Sequence, residues 1–356
     1  MKRLKYHEVA DRLAARIQNG DYNLTVLPSE RELASQIGAS YATARRAVQH
    51  LVEQGLLRRL PNGRATPVDA AAKPLQVALL TPAWESATYT RWRLALAQVG
   101  KSRQISVRRV LYTHWDDPVI PTTVQSFDGI FLIAEPEPHP ETLVSSLRQS
   151  GRPIVVLESD WSLSGIRSAV TVPDFSAHRL LEHLAMLGHR QIDYFNVQPN
   201  YTRFLQPWRI WLAAQNLSGE CIDEPVRPYE DALPAAYAAI QQRIKKRRFK
   251  SKALFCTSEA AALGAIAALI DSGLRPGRDV AVCAAEYGPA LALHNPSVTS
   301  LAAVDLMPYA SISLDWMTGS KSATAWPGPL LLQPGNVEVL VRQSTVPGTR
   351  KHRALS

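Results

Sequence analysis

The chain is poor in cysteine, with Cys221, Cys256 and Cys283 the only three in 356 residues. Their spacing suits neither a zinc site nor a disulfide framework, so free thiols in a reducing compartment are expected. Long apolar runs are missing as well. No window reaches the ~18 uninterrupted apolar residues that a membrane helix needs, and the longest stretch, around 260–270, is interrupted by Gly264 and reads as a buried helix. The start, MKRLKYHEVADRL, lacks the apolar core of a secretory leader, so a cytoplasmic location is expected. There is no P-loop, no nucleophile elbow and no paired-carboxylate context, and His178, His183 and His189 are not spaced as a metal site. Neither an enzyme, a cofactor nor a metal is expected. Charge of one sign is not extreme: forty Lys plus Arg against thirty-one Asp plus Glu leave +9, which permits a polyanionic partner without requiring one.

Length and patterning show what is there. At ~100–200 residues per domain, the chain should fold as two or three units. In the first seventy residues, Val9, Leu13 and Ile17 recur at helical spacing, and Asn19-Gly20 ends that helix. Pro28 breaks the chain. Ser29-Glu30-Arg31-Glu32 is a capping box that opens a second helix, with Leu33 and Ile37 on its buried side. Gly38 stops it, Ser40 caps a third helix reaching about Gln54, and Ala44, Ala47, Val48 and Leu51 turn inward. Two helices joined by a turn at Gly38 form a helix-turn-helix, whose second helix enters the major groove. Asn62-Gly63 between short extended runs then predicts a hairpin, and a basic hairpin in this place is a wing. Residues 1–70 hold eleven Lys plus Arg against seven Asp plus Glu. Arg45, Arg46, Arg58, Arg59 and Arg64 cluster on the third helix and wing, where phosphate would be neutralised.

These residues carry a specific resemblance. Leu27 to Ala34, LPSERELA, resembles the signature of the GntR family of bacterial regulators. Residues 38–48 resemble that family's recognition helix, and Glu53-Gln54-Gly55-Leu56-Leu57 its entry to the wing. The resemblance spans about Tyr6 to Val68 and implies DNA contacts at Arg31, Ser40, Tyr41, Thr43, Arg45 and Gly63, with Arg64 beside them on the wing. Ser40 and Thr43 lie at a helix N-terminus, which favours phosphate, and Arg45 can present a fork to guanine. Two positions depart from the family: Tyr41 stands where Arg is common, and the wing reads Asn62 to Pro67 instead of Gly-x-Gly-Thr.

Residues 70–75 read as a linker. Beyond it, strand patterns at 77–80, 107–111, 129–134, 154–157, 169–172, 192–195, 253–256 and 280–283 alternate with helical ones at 87–99, 141–149, 176–187, 233–247 and 260–272. Such alternation predicts an α/β fold of doubly wound parallel sheets, and the strands over ~270 residues suit two lobes. Leu184 to Ile192 (LAMLGHRQI), the segment 253–282, Pro296 to Ser300 and Leu340 to Thr345 resemble the LacI/GalR sensor domain. That family implies a periplasmic-binding-protein-like domain over 76–346, with lobe one near 76–173 and 303–325 and lobe two near 174–302 and 326–346. A winged helix over 1–69 would precede it and a basic tail over 347–356 follow it. This pairing is similar to arabinose-type repressors.

The expectation is therefore a dimeric, sequence-specific transcriptional regulator. It would repress carbohydrate genes in response to a sugar or derivative in the cleft between lobes. Sugars are gripped by aromatic faces and paired polar groups at strand C-termini. Trp84, Asp160, Arg203, Ser258 and Glu286 are the candidates, with Glu135, Trp161 and Glu259 in similar loops. Here too the chain departs from its relatives: Ser258-Glu259 replaces Asn-Asp, Ala285 replaces the ligand-gripping aspartate, and Arg203 is one residue out of step. The effector then differs from simple sugars, or the sensor has lost its ligand and serves dimerisation. A sugar-transport component is disfavoured by the winged helix. Lys245 to Arg248, with Lys250 and Lys252, reads as a solvated helix end.

Overall fold

The computed structural model describes residues 6–18, 21–22, 27–60, 63–67, 75–83, 86–134, 138–199, 201–227, 230–319, 326 and 328–346. The chain divides into two compact units, Met1–Ala134 with His139–Ala169 and Leu306–Leu331, and Glu135–Pro138 with Val170–Asp305 and Leu332–Ser356.

The first unit begins with three helices, α1 (Tyr6–Gln18), α2 (Glu30–Ile37) and α3 (Tyr41–Glu53). α2 starts where the capping box puts it: the Ser29 N–H donates to the Glu32 carboxylate at 2.7 Å, and the Glu32 N–H returns to the Ser29 hydroxyl. It ends on Gly38, whose φ of +69° only glycine adopts freely. Val9, Leu13, Leu33, Ala47, Val48, Leu51 and Leu57 close one small core. Each buried leucine contributes about 1.5–3 kcal/mol. β1 (Leu57–Arg59) and β2 (Ala65–Pro67) then pair antiparallel. The linker at 70–74 and the wing residue Asn62 lie outside the described residues.

The rest of this unit is a sheet of β3 (Gln76–Pro82), β4 (Ser106–Tyr112), β5 (Gly129–Ile133), β6 (Ile154–Leu157), β7 (Arg167–Ala169) and, at the edge, a two-residue strand at 331–332. Pairing is parallel from β4 through β3, β5 and β6 to β7. β3 and β5 are buried along their whole length, as strands covered on both faces must be. α5 (Val119–Ser126) and α6 (Glu141–Gln149) cover the face that presents Ala78, Leu80, Ile130 and Val156. α4 (Ala87–Ser102) packs with a helix at Met307–Met317, tied by Arg103 to Asp315 at 2.7 Å.

The fifth strand starts earlier than the pattern at 169–172 predicts. β7 runs Arg167–Ala169 because Arg167 pairs with Val155 while its guanidinium lies over the rings of Trp316, at 4.5 Å, and Trp326, at 5.6 Å. A charged residue at the head of a buried strand breaks the apolar pattern, and the aromatic faces that accept it come from distant sequence.

The second unit repeats the architecture. β8 (Asp193–Asn196), β9 (Cys221–Asp223), β10 (Ala253–Cys256), β11 (Ala281–Ala284) and β12 (Thr299–Leu301) run parallel in the order β12-β11-β10-β8-β9. A short strand at 339–340 pairs antiparallel to β12. α7 (Ser176–Met186) and α8 (Leu205–Ala214) cover one face, and α9 (Ala232–Lys245) and α10 (Glu259–Asp271) the other. Gly264 does not interrupt α10; it is where α9 crosses closest, since a Cβ there would meet the Ala236 Cβ at 2.5 Å.

Candidate functional site

The head presents one face of exposed polar side chains. Ser40 caps α3 by accepting the Thr43 N–H at 3.2 Å, and the two hydroxyls share a 2.8 Å hydrogen bond. Both therefore sit at the N-terminus of α3, where backbone N–H groups and the helix dipole favour an anion. Arg45 is exposed on the next half-turn. Arg46, also exposed, is held over the Tyr6 ring at 4.6 Å. Arg31 lies over the Tyr41 ring at 5.9 Å. Gly63 takes φ +79° at the wing tip, and the Leu60 N–H donates to the Arg64 carbonyl at 2.7 Å, placing Arg64 exposed beside it. Arg31, Ser40, Tyr41, Thr43, Arg45, Gly63 and Arg64 thus all belong to α2, α3 and the wing.

One contributor was not singled out from sequence. The Glu30 carboxylate accepts Arg59 at 2.9 Å and the Tyr41 hydroxyl at 3.2 Å. Arg59 also donates to the Gly63 carbonyl at 3.0 Å. The signal available was the acid inside LPSERELA, read there only as part of the capping motif.

Of the sensor candidates, Asp160, Ser258 and Glu286 follow the C-termini of β6, β10 and β11, while Arg203 stands just before α8. Trp84 and Glu135 lie outside the described residues. In the first unit, Asp160 is exposed and accepts the Ser162 N–H at 2.8 Å. Trp161 is buried, stacked on His139 with ring centroids 4.1 Å apart. Glu158, which follows β6 directly, holds φ +60°, a strained setting for a non-glycine residue. Its carboxylate accepts the indole N–H of buried Trp92 at 2.8 Å. An acid straight after an apolar strand was the readable sign.

In the second unit, Ser258 is buried and caps α10, its hydroxyl accepting the Ala261 N–H at 3.2 Å. Glu286 accepts the Glu259 N–H at 3.1 Å, so Ser258 and Glu286 meet around the start of α10. The Glu259 carboxyl lies against Gly288, its Oε2 buried without a hydrogen-bond partner among the described residues; burial pushes its pKa above the ordinary value. Arg203 reaches the Asp174 carboxylate at 3.1 Å and the Val172 carbonyl. Ala285 is buried, its N–H on the Cys256 carbonyl. Asn196, missed in the sequence, ends β8 fully buried and is bonded to Asp223, Gln198 and Thr257. Among the described residues, no helix is long and apolar enough to cross a membrane.

Comparison with known proteins gives both parts a class. Residues 5–67 match the model of bacterial regulatory proteins of the gntR family, and residues 181–344 match that of the periplasmic binding protein-like domain. The chain thus carries a GntR-type winged helix ahead of a periplasmic-binding-protein-like domain. The HTH-type transcriptional repressor NagR of Bacillus subtilis (strain 168) is 45% identical over 62 residues, 17% of this chain and 25% of that protein. An uncharacterized HTH-type regulator of Rhizobium meliloti (strain 1021) is 38% identical over 65 residues, 18% of this chain and 26% of that protein. The chain therefore spans about a quarter of these relatives' length. In fold it resembles the lac repressor dimer bound to operator and the anti-inducer ONPF, with a TM-score of 0.65 at 18% identity, covering 78% of this chain and 96% of that one. The transcription regulator GntR from Chromobacterium violaceum is similar, with a TM-score of 0.62 at 17% identity over 76% and 99% of the two chains.

Proposed function

We propose that this protein is a sequence-specific DNA-binding transcriptional regulator, acting in the cytoplasm as a homodimer on a pseudo-palindromic operator. The observation that carries the reading is the exposed polar face of α3 and the wing, on a head that matches the gntR family. A single winged helix makes few base contacts, and twofold pairing of recognition helices about one DNA turn apart is the usual remedy. Arg31, Ser40, Tyr41, Thr43, Arg45, Gly63 and Arg64 are the proposed DNA-contacting residues. Repression is favoured because the NagR relative is a repressor.

The sensor domain, with bounds near 76–346, then takes a small effector, a sugar or derivative, whose binding changes operator affinity. Trp84, Asp160, Arg203, Ser258 and Glu286 are the proposed grips. A ligand can act only through its differential affinity for the DNA-bound and free states, and the coupling is reciprocal. A second reading is favoured by one specific observation. Ala285 is buried where the resemblance places a ligand-gripping aspartate, and Ser258 and Glu286 are bonded within their own unit. On that reading the domain serves dimerisation alone.

Selection of bound duplexes from a random library tests the first claim: a reproducible twofold motif is expected, and failure to enrich any sequence refutes it. A thermal-shift screen with mono- and disaccharides, sugar phosphates and sugar acids separates the two sensor readings. A true ligand at about 100 times its dissociation constant stabilises the protein by about 2.7 kcal/mol. If no carbohydrate shifts the melting temperature or alters operator affinity, the dimerisation reading stands.

A further inference from the structure

Arg59 was counted, from sequence, among the cations that neutralise DNA phosphate. Its geometry assigns it differently. One guanidinium nitrogen lies 2.9 Å from Glu30 Oε1 and the other 3.0 Å from the Gly63 carbonyl oxygen. Both ends of the fork are therefore engaged inside the head, one on the first residue of α2 and one on the wing tip. The second Glu30 oxygen accepts the Tyr41 hydroxyl at 3.2 Å, from the first residue of α3. A single carboxylate, its side chain only 18% exposed, thus links the starts of both helices of the helix-turn-helix to the wing.

Among the described residues, Leu56, Leu57 and Ala65 pack the base of the wing onto the head core, and the tip lies beyond them. The wing strands have three residues each, and Leu57 is the buried one in β1. The tip adds short backbone bonds from Leu60 to Arg64 and from Gly63 to Leu60, all within the hairpin. Nothing in those bonds sets the height of the tip over α3. An acid on this face would also repel phosphate, unless a cation neutralises it in place.

We propose that Glu30 and Arg59 form a brace that fixes the wing tip relative to the recognition helix, making Arg59 a positioning residue and not a phosphate contact. Tyr41 belongs to the same brace, which gives a purpose to tyrosine at this position. The proposal rests on the DNA-binding reading above. It narrows the salt-dependent footprint to the remaining cations, among them Arg45 and Arg64.

The test uses the full-length protein and the duplex it selects from a random library. Affinities for that duplex and for scrambled DNA are measured by fluorescence anisotropy between 50 and 200 mM salt, a range over which about one lost phosphate contact is visible as a slope change. Glu30→Gln and Arg59→Gln should each lower the selected-to-scrambled affinity ratio about ten-fold, with the loss concentrated at base positions under the wing. The double variant should lose no more than the weaker single, because either change breaks the same link. Arg59→Gln should leave the salt slope unchanged. Arg59→Lys keeps the charge but cannot fork to two acceptors, so it should lose selectivity like Arg59→Gln. Melting temperatures monitor folding, and the Lys variant retains the test if Arg59→Gln unfolds the head. A slope lower by about one in Arg59→Gln, with Glu30→Gln fully selective, would make Arg59 a phosphate contact and overturn the brace. Losses that multiply in the double variant would overturn it too. If the wild type selects no sequence, the regulator reading itself falls and takes the brace with it, whereas a selective wild type with selective variants removes the brace alone.

Discussion

Gly264→Ala sets two effects of known size against each other. Replacing an interior helical glycine with alanine gains about 1 kcal/mol in helix propensity. Here the new methyl would stand 2.5 Å from the Ala236 Cβ, 2.7 Å from the Tyr237 backbone nitrogen and 2.8 Å from the Leu233 carbonyl oxygen. Two of those three neighbours are backbone of α9 and cannot rotate aside. Ordinary contact requires about 3.5–4.0 Å, so α9 and α10 must separate by about 1 Å along their crossing. Overpacking of this kind costs about 1–3 kcal/mol, and the larger figure applies when backbone must move. The net expectation is destabilisation by about 1–2 kcal/mol, despite the better helix former. For a domain of this size that lowers the melting temperature by about 2–8 °C. Gly335→Ala is the control, since a Cβ there meets nothing within 4 Å. Differential scanning calorimetry of the full-length protein should show the Gly264 variant melting earlier and the Gly335 variant unchanged or slightly later. A Gly264→Ala protein as stable as wild type would show that α9 yields freely, and the close-crossing argument would be wrong. Because α10 carries Ser258 and Glu259 at its start, the same variant should also weaken any effector response.

Four further outcomes follow from named groups. Arg45→Ala should cost about 1–3 kcal/mol on the selected duplex and little on scrambled DNA, while Arg64→Ala should weaken both and lower the salt slope by about one; equal losses in anisotropy titrations would remove Arg45 from base readout. Ser29→Ala removes one half of the capping box and should destabilise α2 by about 0.5–2 kcal/mol, visible as faster amide exchange at residues 30–33. The Glu259 carboxyl, its pKa raised by burial, binds its proton more tightly folded than unfolded. Its contribution to stability is therefore full below the ordinary carboxyl value of 4.5 and fades as pH rises through the folded pKa. Glu259→Gln should melt higher than wild type at neutral pH and lose that advantage near pH 4, and a pH-independent difference would refute the assignment. Arg203→Ala should abolish the response to any effector found by thermal shift while operator affinity stays near wild type; an intact response would remove Arg203 from the grip.

Most of the fold was legible because it is written in local signals. Ser29 with Glu32, Gly38 and Ser40 place helix ends by hydrogen bonds made within four residues, so the head's helices could be drawn from sequence alone. The buried strands read as short apolar runs, and β6 and β10 were placed to the residue. Elements defined by distant partners were harder. β9 has three residues with two exposed, and only its register against β8 makes it a strand. α8 opens with Leu205-Gln206-Pro207 and carries Trp208 inward onto the Ile192 carbonyl, a contact no periodicity announces.

The candidate sites were legible as residue types and much less as partnerships. Sequence named Ser258 and Glu286 because of where they stand along the chain. Their hydrogen bonds to Ala261 and Glu259 bear on what they can still offer a ligand, and the one from Glu259 to Glu286 depends on β10 and β11 lying side by side. A serine hydroxyl that already accepts from a helix N-terminus keeps its proton and one lone pair to offer. The Glu259 carboxyl packs against Gly288, with its Oε2 buried and unpartnered among the described residues. The same limit applies in the head. Arg58 and Arg59 are adjacent and chemically identical, so composition cannot separate them. The turn of one strand residue points Arg59 at an acid twenty-nine positions earlier in the chain, and that pairing converts a generic basic patch into a defined geometry.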